Sequence, residues 1–339
     1  MPKEFERRRV GKTSLTVPTF GYGSAHLGEL YKLVTEEDSR ATVDAAWNAG
    51  VRLYDTAPWY GLGLAEHRLG YSLRQRPRSE YQLITKVGRI LERPFDPATF
   101  KSEMWLGGLP FQHRYDYSYD GVMRSYEQSL MRLGLNTIDA LVIHDLDAAY
   151  QGPDFGYRKK DLVYSGIKAL EELKKRGEIK AIGMGINTKE ALETVAPLVD
   201  LDFVLVAMPY TLLDQGPLHT GMADCVKRGV SVIIGSPLAS GILATGSGST
   251  SKYGYANAPE EIQKKVRGIE DVCLAHDVKL PAAALQFVLA HPAVISEIPG
   301  AVKPSEVEAN VASHHAPIPT AFWADLKTNG LIDKDAPTP

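Results

Sequence analysis

Val51-Arg-Leu-Tyr-Asp-Thr-Ala-Pro-Trp-Tyr-Gly-Leu-Gly-Leu-Ala-Glu-His-Arg-Leu-Gly70 contains one complete step of the fold. Arg52–Asp55 is a short β-rich run ending on a carboxylate, and a segment of helical pattern follows it. The same alternation recurs in both directions. Buried strands are predicted at Thr19–Gly21 upstream and at Gln82–Lys86, Ala140–His144, Ala181–Gly183, Phe203–Ala207, Ser231–Gly235 and Val294–Glu297 downstream. Each is followed by a potential helix. Eight such units predict a parallel sheet closed as a (β/α)₈ TIM barrel, an α/β fold that a chain of 339 residues fills as a single domain spanning residues 1–339. Phe5–Pro18 reads as an N-terminal hairpin. Thr35 is placed to cap a helix beginning at Glu36, and the Glu-rich helix Ser165–Arg176 ends before Gly177, where a left-handed C-cap is expected.

Three connections exceed plain turns: Gly88–Asp120, Asp145–Lys160 and Ser236–Pro259. Loops of that length in compact domains are commonly functional, and in a barrel these three leave the C-terminal face, where barrel enzymes build their sites. Composition narrows the partner. With 38 basic and 41 acidic residues, the chain has no single-sign field to hold nucleic acid or an anionic membrane, so a small molecule is the expected partner. Cys225 and Cys273 lack metal-type spacing and do not form a disulfide framework, which suggests a reducing cytoplasm. No run reaches the roughly 18 apolar residues a membrane span needs. The helix faces do not specify an oligomeric state.

Three consecutive strand ends deliver chemically capable residues: Asp55, Lys86 and His144. Tyr60 follows Asp55 closely enough to fold back over the same rim. Singly, these read as a loop cap, a snorkelling lysine, a satisfied histidine and a core aromatic. Together at adjoining strand ends they match the needs of hydride chemistry at a carbonyl or alcohol, where a proton must be supplied to or taken from an oxygen. Tyr60 is the expected acid/base. Lys86, held by Asp55, is expected to lower the phenol pKa, and a neutral His144 to orient the substrate oxygen. Two other readings stay open: a metal-dependent sugar isomerase or hydrolase using His144, Asp145 and Asp147, and a cofactor-binding regulatory subunit without turnover.

At these residues the sequence resembles the aldo-keto reductase family, whose Asp-Thr-Ala-x-x-Tyr-Gly, strand-end lysine and strand-end histidine match Asp55, Tyr60, Lys86 and His144. Tyr117-Ser-Tyr-Asp-Gly121, Ser129-Leu-Met-Arg-Leu-Gly134 and Ile143-His-Asp145 are most similar to its D-threo-aldose (L-fucose) 1-dehydrogenase branch. That resemblance implies oxidation of the anomeric carbon of an L-fucose, D-arabinose or L-galactose type aldose to a lactone, with pyridoxal or aromatic aldehydes as the alternative. No Gly-x-Gly-x-x-Gly opens a βα turn, so a Rossmann domain is not expected. The resemblance instead carries a nicotinamide cofactor across the barrel mouth. It implies contacts at Gly23 and Ser24; at Asn187, within a departure from the family's Ser-Asn pair; at Tyr210, as a nicotinamide-stacking ring; at Ser236, Leu238 and Gly241, around the pyrophosphate; and from Gly300 to Asn310, around the adenosine. Ala207 stands where the family carries glutamine. Glu306 occupies the position at which NADP-binding relatives carry arginine, so NAD is expected, with NADP left open by the nearby Lys303. Trp59, Trp105, His113 and Tyr119 in the mouth loops, with His26 and Tyr31 in the first βα loop, are the expected walls of a substrate pocket. No metal site is expected.

Overall fold

The computed structural model describes residues 4–102, 104–248, 250–254 and 256–339. Its strands are β1 (Arg7–Arg9), β2 (Thr16–Pro18), β3 (Tyr22–Gly23), β4 (Leu53–Asp55), β5 (Gln82–Val87), β6 (Arg89–Glu92), β7 (Gln112–Tyr115), β8 (Ala140–His144), β9 (Ala181–Ile186), β10 (Phe203–Val206), β11 (Ser231–Ile234), β12 (Lys252–Tyr253), β13 (Ala256–Asn257) and β14 (Val294–Glu297). Eight of these form one parallel sheet in the order β3-β4-β5-β8-β9-β10-β11-β14. Parallel bridges from Phe20 to Glu297 and from Gly23 to Gly300 close it into the expected barrel.

The two-residue period of a strand decides what faces inward. Leu53, Ile84 and Val142 belong to the barrel-interior cluster, whereas Tyr54, Leu83 and Ile143 pack outward beneath the helices. Asp55, Lys86 and His144 each lie two residues beyond an inward position, so the pleat points all three into the barrel at its C-terminal rim. The antiparallel hairpin β1–β2 was expected, and its Val10, Leu15 and Val17 join the interior cluster and plug the opposite end.

Some boundaries differ from expectation. Thr19–Gly21 pairs across the seam, with Gly21 N donating to Glu297 O and Glu297 N to Thr19 O, while Thr19 N donates to Glu6 O of the hairpin, and the ladder to β4 begins at Tyr22. β9 runs on to Ile186 because its glycines fit the barrel: a Cβ at Gly183 would lie 2.5 Å from the Phe203 ring. β10 and β11 each end one residue early. Helix Glu36–Asn48 starts as expected on Thr35, whose hydroxyl accepts from Asp38 N at 3.0 Å. The helix expected from Ser165 begins regular α geometry only at Ile167, after a π turn over Leu162–Gly166. There Gly166 lies so close to Tyr117 O that a Cβ would sit 2.0 Å from it.

All three long connections leave the C-terminal rim. The first carries the β6–β7 hairpin; the second, short helices at Ala148–Gln151 and Phe155–Asp161; the third, helix Ile242–Thr245 and the β12–β13 hairpin. In the third, positions 249 and 255 lie outside the described residues. No single described helix is long and apolar enough to cross a membrane.

Candidate active site

Lys86 and Asp55 meet on neighbouring strands at the top of the barrel. Lys86 Nζ donates to both Asp55 carboxylate oxygens, at 2.8 and 2.7 Å, and to Thr56 O at 2.8 Å. All three ammonium donors are thereby used in a fully buried site. Burial pushes the Asp55 carboxyl up and the Lys86 ammonium down, and each is opposed by the other's charge.

Tyr60 stands over the pair, and directly after it the chain turns through three positive φ values, at Gly61 (64°), Leu62 (53°) and Gly63 (100°). A Cβ on Gly28 would lie 2.4 Å from Gly61 N, so the first loop presses directly on this turn. The Tyr60 ring lies 4.7 Å from Lys86 Nζ, and its centroid is 6.0 Å from the perpendicular His144 ring. The expectation that Lys86 lowers the phenol pKa is corrected. Burial raises it well above the ordinary tyrosine value, with Asp55 and Asp145 adding to the rise and Arg89 opposing it. The ammonium is spent on Asp55, so the phenol stays protonated at neutral pH.

His144 sits in a network that the sequence did not reveal. Arg89, at the start of β6, directs one guanidinium nitrogen at His144 Nδ1 (2.9 Å) and the other at Asp145 Oδ2 and Tyr115 Oη (both 2.8 Å). Asp145 holds a positive φ of 50° and accepts from Asn187 Nδ2 at 2.7 Å through its other oxygen. Burial holds His144 well below its ordinary pKa, with Asp145 opposing and Arg89, Lys86 and His113 assisting, so its ring is neutral. Three of the four carboxylate oxygens of the metal-site reading are engaged, and the fourth, Asp147 Oδ2, has no partner among the described residues. Asp145 is held by Arg89 and Asn187, while Asp147 Oδ1 accepts from Asn187 N, Thr188 N and the Thr188 hydroxyl at the start of helix Lys189–Thr194.

The four predicted catalytic residues open onto a cavity of about 640 Å³. Its wall includes the expected Gly23, His26, Tyr31, Trp59, Trp105, His113, Asn187, Ser236 and Gly300, along with Asp145 from the metal-site reading and with Arg89, Tyr115, Tyr150 and Ser240. Trp59 stands edge-on to Trp105 and His113, with centroids 5.7 and 4.4 Å away. Burial, aided by Arg89 and Arg158, lowers the His113 pKa to about 4, which keeps it uncharged.

Other expected contacts do not lie on this wall. Tyr210 is fully buried, stacked on Phe287 at 5.7 Å and edge-on to His291, so core packing has claimed its ring. Leu238 and Gly241 belong to a tight turn (Ala239 φ 48°, Ser240 φ 61°, Gly241 φ 102°) that brings Ser240 to the cavity in their place. Tyr119 is on the outer helix Tyr119–Leu133 and donates to Glu172 at 2.7 Å. Ser24 is buried beside the wall, and its hydroxyl has no partner among the described residues. Asn310 Nδ2 donates to Gly300 O at 3.2 Å, and Glu306 accepts from Val302 N at 2.8 Å.

The model of the Aldo/keto reductase family matches residues 19–329. The chain belongs to the aldo-keto reductase family. This aldo-keto reductase is 39% identical to the pyridoxal 4-dehydrogenase of Microbacterium luteolum over 97% of its own length and 99% of the relative's. It is 35% identical to the D-threo-aldose 1-dehydrogenase of a Pseudomonas species, over 96% of each chain. Among solved structures, an aldo-keto reductase of Bacillus halodurans in its holo form superposes with a TM-score of 0.74 over 97% of both chains at 24% identity, a likeness of fold. The chain is thus an oxidoreductase of a family that works with NAD or NADP.

Proposed function

We propose that this aldo-keto reductase oxidises the carbon of a cyclic hemiacetal to a lactone with NAD, its substrate being an aldose of the L-fucose, D-arabinose or L-galactose type. The observation that carries the reading is the convergence of Asp55, Lys86, Tyr60 and His144 on a cavity walled by Trp59, Trp105 and His113. The family relation to a D-threo-aldose 1-dehydrogenase supports the substrate class. A second reading, oxidation of pyridoxal, draws on the aromatic wall and on the relation to a pyridoxal 4-dehydrogenase.

The residues present suit a nicotinamide cofactor. Asn187, Ser236, Ser240 and Gly300 line the cavity, and the buried Ser24 hydroxyl and His26 Nδ1 have no partner among the described residues. When bound, the nicotinamide accepts or supplies the hydride. Tyr60 handles the proton: it gives its phenolic proton to the substrate oxygen during reduction and, as phenolate, removes the hydroxyl proton during oxidation. Asp55 and Lys86 hold a fixed charge pair behind the ring, and the neutral His144 donates to the substrate oxygen. Trp59 and Trp105 exclude water above the reacting carbon.

The raised Tyr60 pKa fixes the sign of the pH dependence. Reduction uses the protonated phenol, so its rate is expected to be level from about pH 6 to about pH 9, whereas oxidation needs the phenolate and should climb about tenfold per pH unit over the same range. Initial rates in both directions check this, and an oxidative rate independent of pH would contradict it.

NAD is the assigned cofactor because the Glu306 carboxylate occupies the start of helix Pro304–His314, bonded to Val302 N, where a 2′-phosphate would meet like charge. Wild-type protein is expected to prefer NAD over NADP in kcat/KM, and Glu306→Gln to narrow the preference about tenfold. A wild-type preference for NADP would overturn the assignment. The substrate is tested by following NAD reduction with L-fucose, D-arabinose, L-galactose and pyridoxal. Sugar-dependent reduction is expected, and turnover of pyridoxal alone would move the assignment to the second reading.

A further inference from the structure

Arg89 lines the cavity, its side chain is only 2% exposed, and none of the proposed roles uses it. A buried guanidinium is costly unless every nearby acceptor is well placed. Here the acceptors are His144 Nδ1, Asp145 Oδ2 and Tyr115 Oη, and the guanidinium carbon lies 5.0 Å from the Trp59 ring and 4.6 Å from the Tyr115 ring. The pairing of β6 with β7 sets this position, since Arg89 lies directly across from Tyr115.

Arginine offers donors only, so His144 Nδ1 must be the acceptor and the imidazole proton must sit on Nε2. Nε2 is 3.4 Å from Asp145 Oδ2, too far for a strong hydrogen bond, which leaves its N–H free for a substrate oxygen. The same carboxylate accepts from Asn187 Nδ2 through Oδ1. One ion pair therefore touches both the histidine beside Tyr60 and the amide on the cofactor side of the cavity.

We propose that Arg89 and Asp145 are a positioning pair that fixes His144 as the neutral Nε2–H tautomer and fixes the amide of Asn187. The proposal rests on His144 being the donor to substrate oxygen. The charged and titratable groups that face His144 among the described residues are Asp145, Arg89, Lys86, His113 and Tyr60, with the Tyr117 phenol donating to its backbone oxygen at 2.6 Å. Arg89→Met removes a cation and leaves the Asp145 carboxylate without its main partner, so the proton is drawn to His144. A charged imidazolium beside Lys86 then replaces the neutral donor. Asp145→Asn keeps the Arg89 donor on Nδ1 but loosens Asn187.

The test is proton-detected nitrogen NMR of the imidazoles in the full-length protein, with the His144 signal assigned by its loss in His144→Gln. Wild type is expected to show a neutral His144 protonated on Nε2 from about pH 6 to about pH 8, and Arg89→Met a His144 that titrates within that range. In reductive kinetics, Arg89→Met should lose about 10- to 100-fold in kcat and gain an acid-side fall in its pH profile, with partial recovery in Arg89→Lys. Asp145→Asn should keep the Nε2 proton and weaken NADH binding several-fold by fluorescence titration. A merely structural ion pair would lower stability without creating a new ionisation. A wild-type His144 protonated on Nδ1, or a His144 in Arg89→Met that stays neutral throughout, would overturn the proposal. The tautomer is read in the wild-type protein, so the NMR decides even where a variant does not fold. Absence of wild-type turnover would count against the functional reading alone.

Discussion

Tyr60→Phe is expected to lower turnover about 10³-fold or more in both directions while leaving NADH affinity within about twofold. The change deletes one oxygen and keeps the ring that packs against Trp105 and His144. Among the described residues the phenol makes no hydrogen bond, so its loss strands no partner and should leave thermal stability within about 0.5 kcal/mol of wild type. Loss of rate without loss of fold is the signature of a group used only on the reaction path. Turnover equal to wild type would remove Tyr60 from the chemistry, and a wild-type protein that binds NADH without turning over any substrate would return the non-catalytic reading.

Lys86→Met is expected to cost both activity and stability. Met fills much the same volume, yet Asp55 is left as a carboxylate in a site where it is 2% exposed, and breaking a buried pair in this way costs about 3–5 kcal/mol. Without Lys86 to oppose burial, the folded-state pKa of Asp55 moves further above its unfolded value. The variant is therefore most stable at acid pH, where Asp55 is protonated in both states, and loses stability as pH rises through the carboxylate range. Denaturant midpoints at about pH 5 and about pH 8 should show a gap from wild type that widens at the higher pH. Asp55→Asn combined with Lys86→Met should recover much of the stability and none of the turnover, because a neutral pair satisfies the interior but does not hold a charge behind Tyr60. Equal stability of wild type and Lys86→Met would mean that the pair is hydrated, contrary to the buried geometry.

The core of the site was legible because it is local. Asp55, Lys86 and His144 each lie at a strand's C-terminal end two residues beyond an inward-facing apolar residue, and Tyr60 follows Asp55 by five residues, just before a turn of positive φ at Gly61, Leu62 and Gly63. The parts that escaped depend on pairings distant in sequence. Arg89 and Tyr115 face each other only through a hairpin that spans the first long connection, so nothing next to Arg89 in sequence announced its partners. Asp145 read as a possible metal ligand, since nothing near it in sequence announced either its arginine or Asn187. Tyr210 was drawn into the site by resemblance, whereas Phe287 and His291, some eighty residues further on, hold its ring in the core. The expected lowering of the Tyr60 pKa is outweighed by burial of the phenol, with the Asp55 and Asp145 charges adding to the rise, while the Lys86 ammonium makes its three hydrogen bonds elsewhere. The first strand was misplaced because residues 19–21 serve the seam of the barrel rather than the ladder to β4.

The central claim, direct hydride transfer between substrate carbon and nicotinamide, is tested most directly with a substrate deuterated at the carbon to be oxidised. Incubated with NAD and the protein, it should slow turnover through a primary isotope effect and leave its deuterium on the nicotinamide ring of the NADH formed. Deuterium released to water, or retained in a rearranged sugar with no NADH produced, would contradict the account and point instead to proton-transfer chemistry at the same strand ends.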